Sequence, residues 1–318
     1  MTPAEFSEEN AGMRGRCFPD SLLRRMPDAD DPIGREKLPS ALSDLRMLVY
    51  QLVDLGLPVE PFWRSEGGLA FDLLSSQTLG RPVTIGHANG VVTIDISETQ
   101  DAYRERLRVD LGEAYRTMLG HFRHEIGHYY WDRLIADTDN LEKFREVFGD
   151  ERRDYAEALK QNYENGPPAN WQENFVSTYA SCHPWEDFAE TWAHYFHMID
   201  TLETARAFGL SVRPRVAAGG DLATKFDFDP HRAAIEPIID GWVSLTIAAN
   251  AINRSMGLPD LYPFVLAPPI VTKLTFIHDC IRSTPRQKQP SARPPAPDWH
   301  KFSRIGGIAS KIFAKVQA

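Results

Sequence analysis

Cysteine is scarce in this sequence, with only Cys17, Cys182 and Cys280 among 318 residues. Three scattered cysteines without a C-x-x-C pair are too few for a disulfide framework or a thiolate zinc ribbon. Long apolar runs are also missing, since no stretch approaches the length needed to span a membrane. Residues 1–10 are acidic and polar and lack the basic start and apolar run of a secretory signal. These absences predict three reduced thiols and a cytoplasmic protein.

Positive charge is scarce over most of the chain. The net charge is -9, which argues against nucleic-acid binding of the general basic type. Four Arg and four Lys stand against Asp298 in residues 282–318, a net charge of +7 that leaves -16 for residues 1–281. The hydrophobic content of 42% suffices for a sizeable core in one large or two modest domains.

Helical spacing of apolar residues covers much of the chain. A first helix is predicted over 37–57, and residues 98–136 form a long amphipathic stretch that allows a break near Gly112. Further helices are predicted over 141–148, 151–163, 171–180, 184–208, 230–256 and 269–282. The period of two typical of strands occurs over 69–73, 83–85 and 91–96, with Asn89-Gly90 as a hairpin turn. The sequence therefore predicts a mostly helical α+β fold with a small antiparallel sheet.

Composition divides the chain into three parts. Residues 1–36 are polar and predict a poorly ordered lead-in. Residues 37–282 form the predicted domain, with the sheet and a long helix over 60–136 and a helical part over 141–282. Residues 283–318 begin with a proline-rich basic linker and end in a basic amphipathic segment, which suggests docking to a partner or an acidic membrane surface through residues 299–316. A flexible soluble tail is the alternative.

The first group of candidate metal-binding and catalytic residues is the motif H-E-x-x-H at positions 124–128. Two histidines four residues apart in a helix face the same way, so His124 and His128 can bind one metal ion. Glu125, beside the first histidine, is then placed to take a proton from a metal-bound water. Zinc prefers such nitrogen and oxygen ligands, and a catalytic site keeps one position for water. Gly127, a poor helix former, indicates close approach of another element.

A second predicted helix offers a third ligand. Glu186, Glu190 and His194 are spaced four apart and share a helix face. One of them can bind zinc while the next supports a ligand histidine. Spacing alone does not decide which does so, and an amphipathic helix with salt bridges on its wet face has the same pattern.

Three segments, residues 86–90, 120–131 and 183–194, together with 201–205, resemble a bacterial family of zinc-binding metallopeptidases over about residues 40–282. More remotely, the pairing of H-E-x-x-H with E-x-x-x-E is similar to the gluzincin group, which includes anthrax lethal factor. The resemblance implies a zincin-like fold, with the sheet packed on the active-site helix. It also implies that Glu186 is the third zinc ligand and that Glu190 supports a ligand histidine. One departure is that relatives often begin with cysteine pairs, whereas only Cys17 stands in the first 40 residues.

The resemblance assigns further roles. Tyr179 stands seven residues before Glu186, where the lethal-factor pattern has a tyrosine that donates a hydrogen bond to the oxyanion; ordinary packing is the alternative for it. Tyr129 and Tyr130 are other candidates for this donor. His87 and Asn89 lie in the hairpin whose edge would hold substrate in gluzincins.

The roles of two further histidines remain open. His121 extends the motif and is interpreted as a supporting or core residue rather than a direct ligand, and His194 as supporting or substrate-facing. The predicted function is a zinc-dependent peptidase that acts on a peptide or protein substrate with Glu125 as general base. The alternatives are a zinc hydrolase of a non-peptide amide and a non-catalytic, metal-stabilised binding protein. His121 or His194 as a fourth ligand would favour the last.

Overall fold

The computed structural model describes residues 18–28, 30–99, 117–215 and 222–285. The chain divides into two units, residues 1–286 and 287–318, and all described residues belong to the first. The predicted docking segment 299–316 and residues 100–116 of the predicted amphipathic stretch lie outside the described residues. Where it is described, the chain is mostly helical with a small sheet, as predicted. None of its described helices is long and apolar enough to cross a membrane.

A four-stranded sheet forms the first half of the described fold. Its strands are β1 (Leu23–Arg25), β2 (Ala70–Leu74), β3 (Gly86–Ala88) and β4 (Val91–Asp95), in the order β1-β2-β4-β3. β2 pairs with β1 and β4 in parallel, and only β3 and β4 are antiparallel. The prediction of an antiparallel sheet is thus wrong for two of the three strand pairs. A hairpin turn sets the direction of the two strands it joins, whereas the other pairs depend on where the chain re-enters the sheet.

The Asn89-Gly90 turn is present, with φ of 50° and 83° at its two residues. A Cβ on Gly90 would lie 2.2 Å from the carbonyl oxygen of Gly67, so this position also needs glycine for space. The two-residue turn pairs Ala88 with Val91 directly. Strand β3 therefore occupies residues 86–88, and the strand predicted over 83–85 is misplaced by three residues.

The first long helix begins before its predicted start. Short helix α1 spans Phe18–Ser21, and α2 spans Pro32–Asp54. Asp31 caps α2 by accepting a hydrogen bond from the Ile33 amide at 2.9 Å, and Pro32 occupies the first turn. The predicted poorly ordered lead-in over 1–36 is therefore wrong for its described part, because α1, β1 and the start of α2 pack on the sheet and core.

The described helices of the second half follow the predicted order. They are α4 (Met118–Leu134), α5 (Asn140–Phe148), α6 (Tyr155–Asn165), α7 (Pro184–Ala207), α8 (Ile235–Ser255) and α9 (Pro268–Ser283); the short helix α3 (Ser76–Leu79), which was not predicted, lies earlier, between β2 and β3. Helix α4 starts late in the predicted stretch 98–136, since Ile96–Thr99 forms a 3-10 turn and extended Thr117 caps the helix. Strands β5 (Ser211–Val212) and β6 (Thr224–Lys225) form a short antiparallel pair between α7 and α8.

The helix predicted over 171–180 is wrong. Only two 3-10 turns form there, Trp171–Glu173 and Tyr179–Ser181. One tertiary and one local partner take the place of helical bonds there. Lys273 donates to the carbonyl of Asn174 at 2.5 Å, and the Ser177 hydroxyl accepts from the nearby Ala180 amide at 3.1 Å. A polar side chain bonding to nearby backbone competes with helix formation.

Helix α4 lies at the centre of the fold and packs mainly on α7. Arg123 on α4 is buried and joins three helices, since it contacts Asp200 Oδ2 and His197 Nδ1 at 2.6 Å and Gln51 Oε1 at 3.2 Å. Trp192 on α7 stacks on Tyr130 of α4 with ring centroids 5.2 Å apart. These contacts hold the H-E-x-x-H helix and the E-x-x-x-E helix in one fixed arrangement.

Candidate metal centre

Two helices bring three buried ligand-type side chains together. His124 and His128 project from one face of α4, and Glu186 lies in the first turn of α7. The Nε2 atoms of the histidines are 3.1 Å apart, and Glu186 Oε2 lies 2.9 Å from His124 Nε2 and 3.3 Å from His128 Nε2. Within the described ranges, these three residues form the group of side chains that can share one metal ion.

The donor set fits zinc. Ligands at the usual zinc distances of about 2.0–2.2 Å lie roughly 3.3–3.5 Å apart at the corners of a tetrahedron, close to the separations found here. Two imidazole nitrogens and a carboxylate oxygen converge on one point, and a cation between them would take the place of the proton that His124 Nε2 otherwise shares with Glu186. Three protein ligands leave one tetrahedral position for water or substrate.

Close approach of the two helices at Gly127 makes this possible. A Cβ on Gly127 would lie 3.0 Å from the Cα of Ala189 and 3.2 Å from Cβ and Cγ of Trp192. The glycine thus allows the backbone of α7 to lie almost against α4. The expectation that Gly127 marks the approach of another element is confirmed.

A second layer orients His124. Glu190 Oε1 lies 2.7 Å from His124 Nδ1, so this nitrogen carries the proton and Nε2 is left to bind metal. The Ser177 hydroxyl donates to Glu190 Oε2 at 2.5 Å. Burial lowers the pKa of His124, but its bonds to Glu186 and Glu190 outweigh burial and raise the pKa well above the ordinary value. Glu190 therefore lies beside His124, and its supporting role stays a prediction.

Glu186 has a second partner. Tyr155, the first residue of α6, donates from its hydroxyl to Glu186 Oε1 at 2.7 Å. Burial raises the pKa of Glu186, yet the neighbouring His128 and His124 more than compensate and leave it well below the ordinary value. The carboxylate is therefore ionised and shared between the two histidines and the tyrosine.

The predicted general base and oxyanion donor are close to this group. Glu125 is buried beside His124, and its Oε2 has no hydrogen-bond partner among the described residues. The ring of Tyr179 lies 5.8 Å from that of His124. Burial raises the pKa of Tyr179, so the phenol remains a donor at neutral pH.

The other predicted residues contact different parts of the fold. His121 and His194 are not in the group that can share a metal ion. His194 Nδ1 instead lies 2.6 Å from the Tyr262 hydroxyl, and its ring packs on Phe264. A fourth protein ligand, which would have favoured a purely structural site, is therefore not found in the part of the chain that is described.

The hairpin residues also have local contacts. His87 Nε2 accepts from the Gly90 amide at 3.1 Å, and burial lowers the pKa of His87 to about 4, so its ring is neutral and supports the turn. Asn89 is exposed in that turn. Tyr130 donates to the carbonyl of Pro58 at 2.8 Å, and Tyr129 lies under the guanidinium of Arg133, 3.6 Å from the ring centroid. Neither tyrosine has a contact that supports the oxyanion-donor alternative.

Three further residues lie at the site although no sequence motif indicated them: Tyr155, Ser177 and Trp185. The ring of Trp185 lies over His128, with centroids 3.7 Å apart. Tyr155 lies 31 residues before its partner Glu186, and Ser177 lies 13 residues before its partner Glu190. No local spacing rule connects residues so far apart, and only the folded chain shows these contacts.

The fold and the site define a mostly helical protein with a buried His-His-Glu group that can hold a metal ion. A family model described as "Putative zinc-binding metallo-peptidase" matches residues 38–280, and the chain belongs to this family. Relatives include uncharacterized proteins of Mycobacterium bovis and of two Mycobacterium tuberculosis strains, each 44% identical over 278 residues, which is 84% of this chain and 76% of the relative. No solved structure matches the chain.

Proposed function

We propose that this chain is a zinc-dependent peptidase in which His124, His128 and Glu186 hold the metal ion. The observation that carries the proposal is a three-ligand group with a buried glutamate, Glu125, beside it. A structural zinc site is closed by four protein ligands and needs no base, whereas a catalytic site keeps one position open. Membership of a family described as zinc-binding and peptidase-like supports the same reading.

The chemistry follows from the residues around the group. Zinc at this position would supply a water of lowered pKa, about 7 in well-studied enzymes, as the nucleophile. Glu125 takes the proton from the attacking water and passes it to the leaving amine. Tyr179 donates a hydrogen bond to the oxyanion that develops on the scissile carbonyl. Glu190 keeps the proton of His124 on Nδ1 throughout, and no covalent intermediate is needed.

An extended peptide is the substrate shape that the sheet favours. Strand β3 lies at the edge of the described sheet and is paired only with β4 there. β3 also contacts α4, the helix that carries the two histidines. An edge strand binds an extended peptide by backbone hydrogen bonds. We therefore place the substrate along β3, with His87 and Asn89 at the end of the hairpin.

The second candidate is hydrolysis of a non-peptide amide, which the same residues would perform. The open position and Glu125 serve both reactions equally. The edge strand favours the peptidase, since backbone pairing recognises an extended chain and offers nothing comparable to a small molecule.

The test combines metal content with turnover. The full chain, Glu125→Gln and His124→Ala are purified, their zinc is measured by elemental analysis, and each is incubated with a peptide library analysed by mass spectrometry. We expect one zinc per chain in the parent and in Glu125→Gln and loss of zinc in His124→Ala. Glu125→Gln should cleave peptides roughly 10²–10⁴-fold more slowly, since it lacks the general base.

Three outcomes would overturn the proposal or a part of it. A parent that binds no zinc when zinc is supplied would remove the metal site and the peptidase with it. A zinc-loaded parent that cleaves small amides but no library peptide would transfer the function to the second candidate. Equal turnover by Glu125→Gln would remove the assigned base.

A further inference from the structure

The two oxygens of Glu186 have different partners. Oε2 faces the metal-binding histidines, at 2.9 Å from His124 Nε2 and 3.3 Å from His128 Nε2. Oε1 accepts the hydroxyl hydrogen of Tyr155 at 2.7 Å. The carboxylate is thereby oriented with one oxygen toward the cluster and the other toward α6.

Tyr155 is itself held in place from several sides. It opens α6, where Asp154 caps the helix by accepting from the Glu157 amide at 2.8 Å. Its ring meets the rings of His183 and Trp185 edge to face, with centroids 5.4 and 6.0 Å away. Residues on the capped first turn of a helix have little freedom to move, so the hydroxyl is a fixed donor.

We propose that Tyr155 is a positioning residue that keeps Glu186 bound to the metal through Oε2 alone. A carboxylate whose second oxygen is not engaged can bind a metal ion with both oxygens. A second bond from Glu186 would fill the position that water and substrate need. The hydrogen bond from Tyr155 engages Oε1 and so preserves that open position.

The proposed oxyanion donor, Tyr179, is a separate residue whose ring lies 5.8 Å from that of His124. Tyr155 acts on the carboxylate of Glu186 through its own hydrogen bond and needs no contact with the substrate. The inference rests on the proposed metal site and does not require that the substrate be a peptide.

The experiment compares Tyr155→Phe with Tyr50→Phe in the full chain. Tyr50 lies on α2 and is 40% exposed, so its variant removes one hydroxyl with no contact to the site. Zinc dissociation constants are measured by competition with a chelating dye, and the visible spectrum of the cobalt-substituted protein reports the number of ligands. Thermal unfolding of the metal-free proteins shows whether the fold itself has changed.

We expect Tyr155→Phe to raise the zinc dissociation constant by about 10–100-fold, as loss of a partner of a metal ligand does. Its cobalt spectrum should weaken, because ligand-field bands lose intensity when a four-coordinate ion gains a fifth ligand. Tyr50→Phe should match the parent in both, and the metal-free unfolding temperatures should agree.

The inference is overturned if Tyr155→Phe matches the parent in zinc affinity and in the cobalt spectrum. It is also overturned if the zinc affinity falls only together with the unfolding temperature of the metal-free protein, since Tyr155 would then act through the fold. Absence of peptide cleavage by the zinc-loaded parent would instead refute the peptidase proposal and leave the metal-binding result standing.

Discussion

The contact between α4 and α7 at Gly127 leads to a prediction about Gly127→Ala. The added Cβ would lie 3.0 Å from the Cα of Ala189, whereas carbon atoms prefer separations of about 3.5–4.0 Å. The contact is with backbone, so the two helices must separate locally by about 0.5 Å to relieve it. Metal sites tolerate errors of only about 0.2 Å in ligand distances. Because Glu186 lies on α7, the separation of the helices would shift this ligand by more than that tolerance.

The expected magnitudes separate metal binding from stability. Overpacking costs about 1–3 kcal/mol, while replacing glycine by alanine inside a helix stabilises it by about 1 kcal/mol. The net loss of stability should therefore be small, about 0–2 kcal/mol, by these two values. Zinc affinity should fall by about tenfold or more, because the shift exceeds the tolerance of the ligand distances.

The assay measures the zinc dissociation constant and urea unfolding of the metal-free chain, with Gly241→Ala as the matched control. A Cβ on Gly241 would meet only side-chain atoms of Phe228 and Leu202, at 3.2 to 3.4 Å. The ends of these two side chains can move, so Gly241→Ala should leave the free energy of unfolding unchanged or raise it. The variant should keep the zinc affinity of the parent. If Gly127→Ala bound zinc as tightly as the parent, the close approach would not be what sets the ligand geometry.

Two further substitutions test the contacts around the centre. Glu190→Gln should raise the zinc dissociation constant roughly tenfold, because it removes the charge that orients His124. Ser177→Ala should raise it less. The same chelator competition measures both constants, and unchanged values would show that Glu190 has no supporting role. Lys273→Met leaves Asp187 buried without the ammonium now 2.7 Å away, so urea unfolding should show a loss of about 3–5 kcal/mol. Adding Asp187→Asn should restore part of it, and equal stability of the single and double variants would contradict this account.

The helices and the metal motif could be predicted from the sequence because their rules are local. His124 and His128 share a face through the helical period alone, and Glu186 and Glu190 do so for the same reason. The pattern left open which acidic residue faces the two histidines. That choice depends on how α7 crosses α4, which the contact at Gly127 sets.

The direction of the strands could not be predicted in the same way. Asn89-Gly90 specifies one antiparallel pair through the geometry of a two-residue turn. The parallel pairing of β2 with β1 and β4 brings together residues from positions 23, 71 and 92. Such pairing is decided by packing of the whole domain, since a strand carries no local mark of its neighbour's direction.

Local patterns of the sequence by themselves determined the mostly helical class, the H-E-x-x-H helix and the candidate ligands, because each follows from spacing within one element. Only the tertiary structure decided that Tyr155 holds Glu186, that Ser177 holds Glu190 and that Trp185 covers His128. These contacts join separate segments, and their energy is realised only when α4, α6 and α7 pack together. The physical reason is that hydrogen bonds and ring contacts act over a few ångströms in space, whatever the separation along the chain.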